Sequence, residues 1–275
     1  MDSILPEKLI ETLAIMEQPK FMATKDKSGE PNVAFLTTLT RFEGNTLAYG
    51  DFLTYKTRMN LEAGNKELGI LVMTTDLDSW MIRADFESFH RNDDVYEFIA
   101  MTPLFRYNQY TNARSVGVAE ASSASENMPI SKVSVLTSFI KAKLAKRKIP
   151  LTVTEEGNMP PNVHKRFNQM AAVKVLAFID DSGYPVAFPN LGMVPASTNR
   201  IAVNRLAEAK RGLKINDGQR VAISLVTLEP AAFQLKGTFR EINPVTGYIE
   251  LDRVYTCSLP RPGERVDIPM LSRES

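Results

Sequence analysis

Residues 54–61 read Thr-Tyr-Lys-Thr-Arg-Met-Asn-Leu, so Thr54, Lys56, Thr57 and Arg58 bring hydroxyls and cations together within five positions. Where such a run opens a helix, the unpaired N–H groups of the first turn add oriented donors, and the set suits a phosphate group. The competing reading places Lys56 and Arg58 on the wet face of an amphipathic helix with no ligand at all. Asn60 reads as a helix tie and Leu61 as core.

Little else in the chain offers reactive chemistry. Only two histidines are present, His90 and His164, both in polar surroundings that suit a surface, and no HExxH-like spacing joins them. Cys257 is the single cysteine, which excludes an internal disulfide framework and any multi-cysteine metal site, so no metal is expected. No GxSxG, GxxxxGK[ST] or GxGxxG run appears. The 33 basic and 32 acidic residues leave a formal charge of +1, which removes the electrostatic case for a nucleic-acid partner. With no apolar run long enough to span a bilayer and no secretory start, the chain reads as cytoplasmic, with no membrane partner.

The elements that must position residues 54–61 are written twice. Ser-Gly-Glu-Pro at 28–31 recurs as Ser-Gly-Tyr-Pro at 182–185, a spacing of 154 (183 − 29). Asn45 and Asn199 keep that spacing, and WMIRADFES (80–88) answers FQLKGTFRE (233–241) at 153 (233 − 80). Short apolar runs rich in Val, Ile, Leu and Phe predict strands at KFMATKD, PNVAFLTTLTRF, TLAYGD, LGILVMTT and SWMIRADFES. Their counterparts are AVKVLAFID, YPVAFPNLGMV, RIAVNR, RVAISLVTL and AAFQLKGTFREI. Each Ser-Gly supplies a residue tolerant of positive φ for a hairpin, and Pro31 and Pro185 open the following strands. YKTRMNLEAGNK and LAEAKRGLKINDG predict a short helix in each copy. Helices are also expected at 6–17, at 93–101 and at 130–148, where Val133, Leu136, Ile140 and Leu144 share a face ahead of a basic end read as a solvated last turn. The fold expected is mainly β with flanking helices. Its two modules would be residues 1–155 and 156–275, the second with a degenerate site.

The order of strand, Gly-x-Pro turn, long strand, aromatic-bearing strand and Lys-Thr-Arg-Met-Asn-Leu resembles the FMN-binding split β-barrel superfamily, which includes pyridoxamine 5′-phosphate oxidase. The resemblance covers roughly residues 20–90 and, more weakly, 172–242. It implies two tandem split barrels forming an internal pseudo-dimer, with a further homo-oligomer allowed. It implies FMN as the cofactor, with deazaflavin or haem as alternatives, and a small-molecule electron donor and acceptor. Lys56 then holds the FMN phosphate with Thr54, Thr57 and Arg58, while Tyr49 borders the flavin and Ala34, Phe35, Leu36 and Thr37 line it. Arg83 would stand near the ring, where a cation stabilises anionic reduced flavin; an outward-facing arginine on a half-exposed strand is the alternative. Trp80 could stack on a ring or belong to the core. Ala34 and Leu39 stand where the oxidase itself carries cations, and its C-terminal Arg-x-His pair is absent, so a true vitamin B6 oxidase is not implied. The function read is a flavin-binding oxidoreductase with no acid–base catalyst assigned, the alternative being a non-catalytic binding or carrier module or a decayed site. In the second copy Lys210 falls on Lys56, but Gly212 and the missing Asn-Leu weaken a second phosphate site.

Overall fold

The computed structural model of the chain describes residues 3–106, 113–150, 159–228, 231–258 and 262–266. The module boundary expected at 155/156 lies outside them. The first elements are α1 (Glu7–Ala14), β1 (Lys20–Lys25), β2 (Pro31–Phe35), β3 (Thr40–Glu43), β4 (Thr46–Gly50), α2 (Tyr55–Glu62), β5 (Glu67–Met73) and β6 (Ser79–His90). There follow α3 (Asp94–Ala100), α4 (Pro103–Arg106), β7 (Val116–Ala124), α5 (Lys132–Ala145) and α6 (Pro161–Phe167). The rest are β8 (Val173–Ile179), β9 (Pro185–Pro189), β10 (Val194–Pro195), β11 (Arg200–Asn204), α7 (Leu206–Ala209), β12 (Arg220–Val226), β13 (Ala232–Asn243) and β14 (Thr246–Thr256).

The mainly β architecture takes the form of two seven-stranded antiparallel sheets, ordered β2-β1-β5-β6-β7-β4-β3 and β10-β11-β14-β13-β12-β8-β9. Read from β9, the second order matches the first strand for strand. The extents match too, since β5 and β12 each have seven residues and β6 and β13 each have 12. The chain divides into two compact units, Met1–Lys132 with Val175–Pro189 and Val133–Lys174 with Asn190–Ser275.

In the first unit, Leu9 and Leu13 of α1 pack with Met22, Leu36, Leu39, Leu47, Tyr49 and Trp80 in one core. Ala48 turns the other way, into a second core with Ile99, Phe105, Val116 and Val118. β4 is therefore buried on both faces, and Trp80 is a core residue. The single long strand expected over PNVAFLTTLTRF is broken instead. β2 and β3 lie at opposite ends of the hydrogen-bond order, so the chain must bend between them. The bend sends both Leu36 and Leu39 inward, and Thr38 Oγ1 donates to the Gly50 carbonyl at 3.1 Å.

The repeated turn has one cause in both copies. Asp26 Oδ1 accepts from Ser28 N, Ser28 Oγ and Glu30 N, and Asp180 Oδ1 accepts from Ser182 N, Ser182 Oγ and Tyr184 N. Gly29 and Gly183 then take φ of 79° and 84°, a region that favours glycine. Burial raises the Asp26 carboxyl's proton affinity, but the bonds from Ser28 and Glu30 outweigh it and leave the pKa below the ordinary value.

Two lysines at matching places, Lys20 and Lys174, are fully buried. Lys20 Nζ donates to Ile15 O at 2.6 Å, and Lys174 Nζ to Met193 O at 3.1 Å beside the rings of Phe139 and Phe167. Burial lowers each to about 8, against a small opposing pull from Glu17 on Lys20. Between pH 8 and the unfolded value of 10.5 the unfolded chain holds the proton that the folded chain has released, so stability rises with pH in that window. Lys174→Met should remove its share of that rise, about 3 kcal/mol at most for a shift of this size, as read from denaturant unfolding at pH 7 and pH 10.

In the first unit Gly69 of β5 meets β9 so closely that a Cβ would stand 2.0 Å from the Pro185 carbonyl oxygen. Because backbone rather than a mobile side chain is in the way, Gly69→Ala should cost about 2 kcal/mol or more, seen as a lowered melting temperature.

Candidate functional site

The site is built around α2 in the first unit. The helix leans on β1 and β2 through a buried polar cluster: Asn60 Nδ2 donates to Thr24 Oγ1 at 2.9 Å, and Asn32 Nδ2 to Thr57 Oγ1 at 3.2 Å. Leu61 drives the same face into the core. Thr57 is thus a buried positioning residue, and Asn60 is the tie expected of it.

At the N-terminus of α2, Thr54 is the residue preceding the helix, yet its side chain makes no capping bond. Its hydroxyl donates instead to Asp51 Oδ1 at 2.6 Å. Asp51 Oδ2 also accepts from Arg58 Nη1 at 2.5 Å, and both groups are largely buried. Arg58 further donates to Ser115 Oγ at 2.8 Å and, through Nε, to Glu62 at 2.8 Å, and its guanidinium lies 4.2 Å from the Phe89 ring centre. Burial alone would lower the Arg58 pKa, but Asp51 and Glu62 raise it, so the group stays charged and paired. Lys56 is half-buried on the same first turn. Leu53, Tyr55 and Met59 are exposed around it, and Leu53 holds a φ of 60°, a strained value for a branched side chain.

The other expected site residues fall in three places. Ala34 and Phe35 sit half-buried at the end of β2, with Phe35 against Phe21 at 5.3 Å. Leu36 and Thr37 follow in the bend, Leu36 being core and Thr37 half-exposed. Tyr49 is buried, its ring pressed on Gly117, where a Cβ would come within 2.4 Å of it. Its hydroxyl has no hydrogen-bond partner among the described residues, and burial, with the nearby Asp51, raises the phenol pKa. Arg83 is held by the turn between β8 and β9: it pairs with Asp180 at 2.5 Å and lies 5.1 Å from the Tyr184 ring centre. Tyr184 in turn donates to Asp85 at 2.7 Å, and Lys25 to the Gly183 carbonyl at 2.6 Å.

The residues not singled out in sequence are Asp51, Ser115 and Glu62, which hold Arg58. Asp51 precedes Arg58 by seven positions with a chain reversal between them, so no helical spacing flags the pair. In the second unit the polarity is reversed. Arg205 stands at the position of Asp51 and donates to Glu208 at 3.1 and 2.7 Å, to Glu241 and to the Ile215 carbonyl at 2.9 Å. Lys210 is exposed, and α7 has only four residues.

The donors at α2 fit a phosphate monoester: the Thr54 side chain does not cap the first turn, and Lys56 brings a cation. Arg58 differs, because its charge is already shared by two carboxylates. Among the described residues no group of three or more His, Cys, Asp or Glu could hold a metal ion.

No protein-family model and no curated protein matches the chain. Solved structures similar to parts of it include an FMN-binding protein from Syntrophomonas wolfei, 15% identical with a TM-score of 0.38, covering 47% of this chain and 92% of that one. HupZ from Group A Streptococcus is 19% identical with a TM-score of 0.37, covering 45% and 94%. HutZ, the haem storage protein of Vibrio cholerae, is 12% identical with a TM-score of 0.35, covering 45% and 93%.

A buried phenol with no partner is a net cost to the fold. Tyr49→Phe should therefore leave the protein at least as stable, by about 1 kcal/mol in its favour, in urea unfolding monitored by circular dichroism.

Proposed function

We propose that the first unit binds FMN by its phosphate at the N-terminus of α2, and that the protein is a flavin-dependent oxidoreductase acting on a small acceptor. The observation that carries this reading is the α2 terminus, where the Thr54 side chain gives no cap and Lys56 is half-buried on the first turn. Oriented N–H groups with one cation make a site for a phosphate dianion. The buried ties from Asn60 and Thr57 hold that terminus in place. Asp51 does not oppose the anion as a bare charge would, because Arg58 is bonded to it.

Bound flavin would supply the hydride and electron chemistry, with the protein contributing position and electrostatics. Phe35 and Ala34 at the end of β2 would offer an apolar surface to the ring. Arg83 has a different part in this reading. Its ion pair with Asp180 fixes the β8–β9 turn, and it is not assigned to the flavin.

The second copy would act as a supporting half in an internal pseudo-dimer. Its counterpart of the site holds the Arg205–Glu208 pair, Asn204 Oδ1 accepts from Leu206 N at 2.9 Å, and α7 is only four residues long. One cofactor per chain is the expected stoichiometry.

Purified protein should carry, or take up, one equivalent of FMN with flavin absorption bands. Lys56→Ala should weaken binding by roughly tenfold to a hundredfold, in line with the loss of one charge-assisted phosphate bond. Full retention of FMN by that variant would refute the assignment. Anaerobic reduction of the bound flavin by a nicotinamide donor, followed by reoxidation with a small acceptor, separates an enzyme from a carrier.

A further inference from the structure

The helix α5 buries Phe139, Ala142 and Ala145 in the second unit and presents a second apolar face to the outside. Val133 is 69% exposed, Leu136 46%, Ile140 48% and Leu144 59%. At about 100° per residue these four fall within an arc of roughly 80°, opposite the buried face. Lys141 and Lys143 flank the arc on its two sides, and Lys146, Arg147 and Lys148 continue the charge in a 3-10 turn at 146–148. No acidic residue occurs between positions 127 and 154. At the C-terminal end of the stripe, a cleft of about 260 Å³ opens between Lys141, Leu144 and Lys148 on one side and Asn204, Val245 and Thr246 on the other.

We infer that this face docks on an anionic lipid bilayer. The aliphatic stripe would enter the boundary between headgroups and acyl chains, the lysine stems would lie along it with their ammonium groups at the phosphates, and the cleft would receive one headgroup. Three features favour this occupant. A second copy placed on the same stripe would set this cationic run against its own like charges. A protein partner is expected to meet aromatic anchors, whereas the stripe holds only Val, Leu and Ile. The stripe spans about 17 Å along the helix, short for a stable protein interface of standard size yet sufficient for an interfacial helix already held on a folded body. Association is peripheral: no helix among the described residues is long and apolar enough to cross a membrane. Taken alone, the lysines are a solvated last turn; the uncovered stripe between them gives the run a partner.

The full-length protein should float with vesicles of phosphatidylcholine mixed with phosphatidylglycerol and stay behind with phosphatidylcholine alone, and added salt should weaken the association. Ile140→Asn with Leu144→Asn, and separately Lys141→Glu with Lys143→Glu, should each lower the bound fraction by about tenfold or more with circular dichroism and melting temperature unchanged. These four side chains are exposed; Lys143 also lies 4.6 Å from the Phe139 ring centre, a weak contact at an exposed site. Equal partition into the two vesicle types, no flotation with either, or full binding by the Ile140/Leu144 variant would overturn the proposal. So would light scattering that shows an oligomer dissociated by that variant without any vesicle binding, which would assign the stripe to a protein interface.

Discussion

The ion pair between Asp51 and Arg58 is the joint on which the first unit turns. Asp51 N donates to the Ser115 carbonyl, and Arg114 N donates to the Asp51 carbonyl, so the backbone of Asp51 closes the end of β4 against the start of β7. Its carboxylate then takes Thr54 and Arg58 and sets the entry and second turn of α2. A pair buried to this degree contributes little net stability against an apolar replacement, but it is unforgiving of losing one partner. Its value lies in direction. Thr54 is drawn away from capping its own helix.

The second copy keeps the sheet and inverts the joint. Arg205 replaces the carboxylate, Glu208 answers it from within the helix, and the Ile215 N–H donates to the same glutamate at 2.7 Å. The guanidinium and carboxylate satisfy each other and the local backbone, Arg205 also donating to the Ile215 carbonyl. The two sheets share a strand order, and in each an arginine held by two carboxylates closes this corner, with acid and base exchanged between the matching positions 51 and 205.

Much of the fold could be read in the sequence because its causes are local. An aspartate two residues before Ser-Gly collects three donors, glycine takes the positive φ, and proline opens the next strand; all of it lies within six residues, 26–31 or 180–185. The strands of β5, β6, β12 and β13 follow from apolar runs of ordinary length. The candidate site was legible only at α2, where the hydroxyls and cations are adjacent. Tyr49 looked like a border residue, but β4 is buried on both faces, and alternation along a strand cannot say which side is water. Arg83 is open in sequence between a flavin contact and an outward-facing arginine, because its partners, Asp180 and Tyr184, lie about 100 positions further along the chain. The break after Phe35 was missed for a related reason: an apolar run does not record that its two halves belong to opposite edges of a sheet.

The same ambiguity explains α5. Periodicity correctly groups Val133, Leu136, Ile140 and Leu144 on one face, yet Phe139, Ala142 and Ala145 make a second apolar face on the same helix. Packing selects the second, because small alanines allow close approach to the sheet while Phe139 fills the space beside Val194, Ala196 and Ala202. The larger aliphatic residues are then left outward. Covering them would remove apolar surface from water, and the lysines on both sides restrict what can do so to something that carries negative charge. An exposed single leucine needs no explanation, but four in register, bounded by cations and free of acids, describe a surface with a chemical preference.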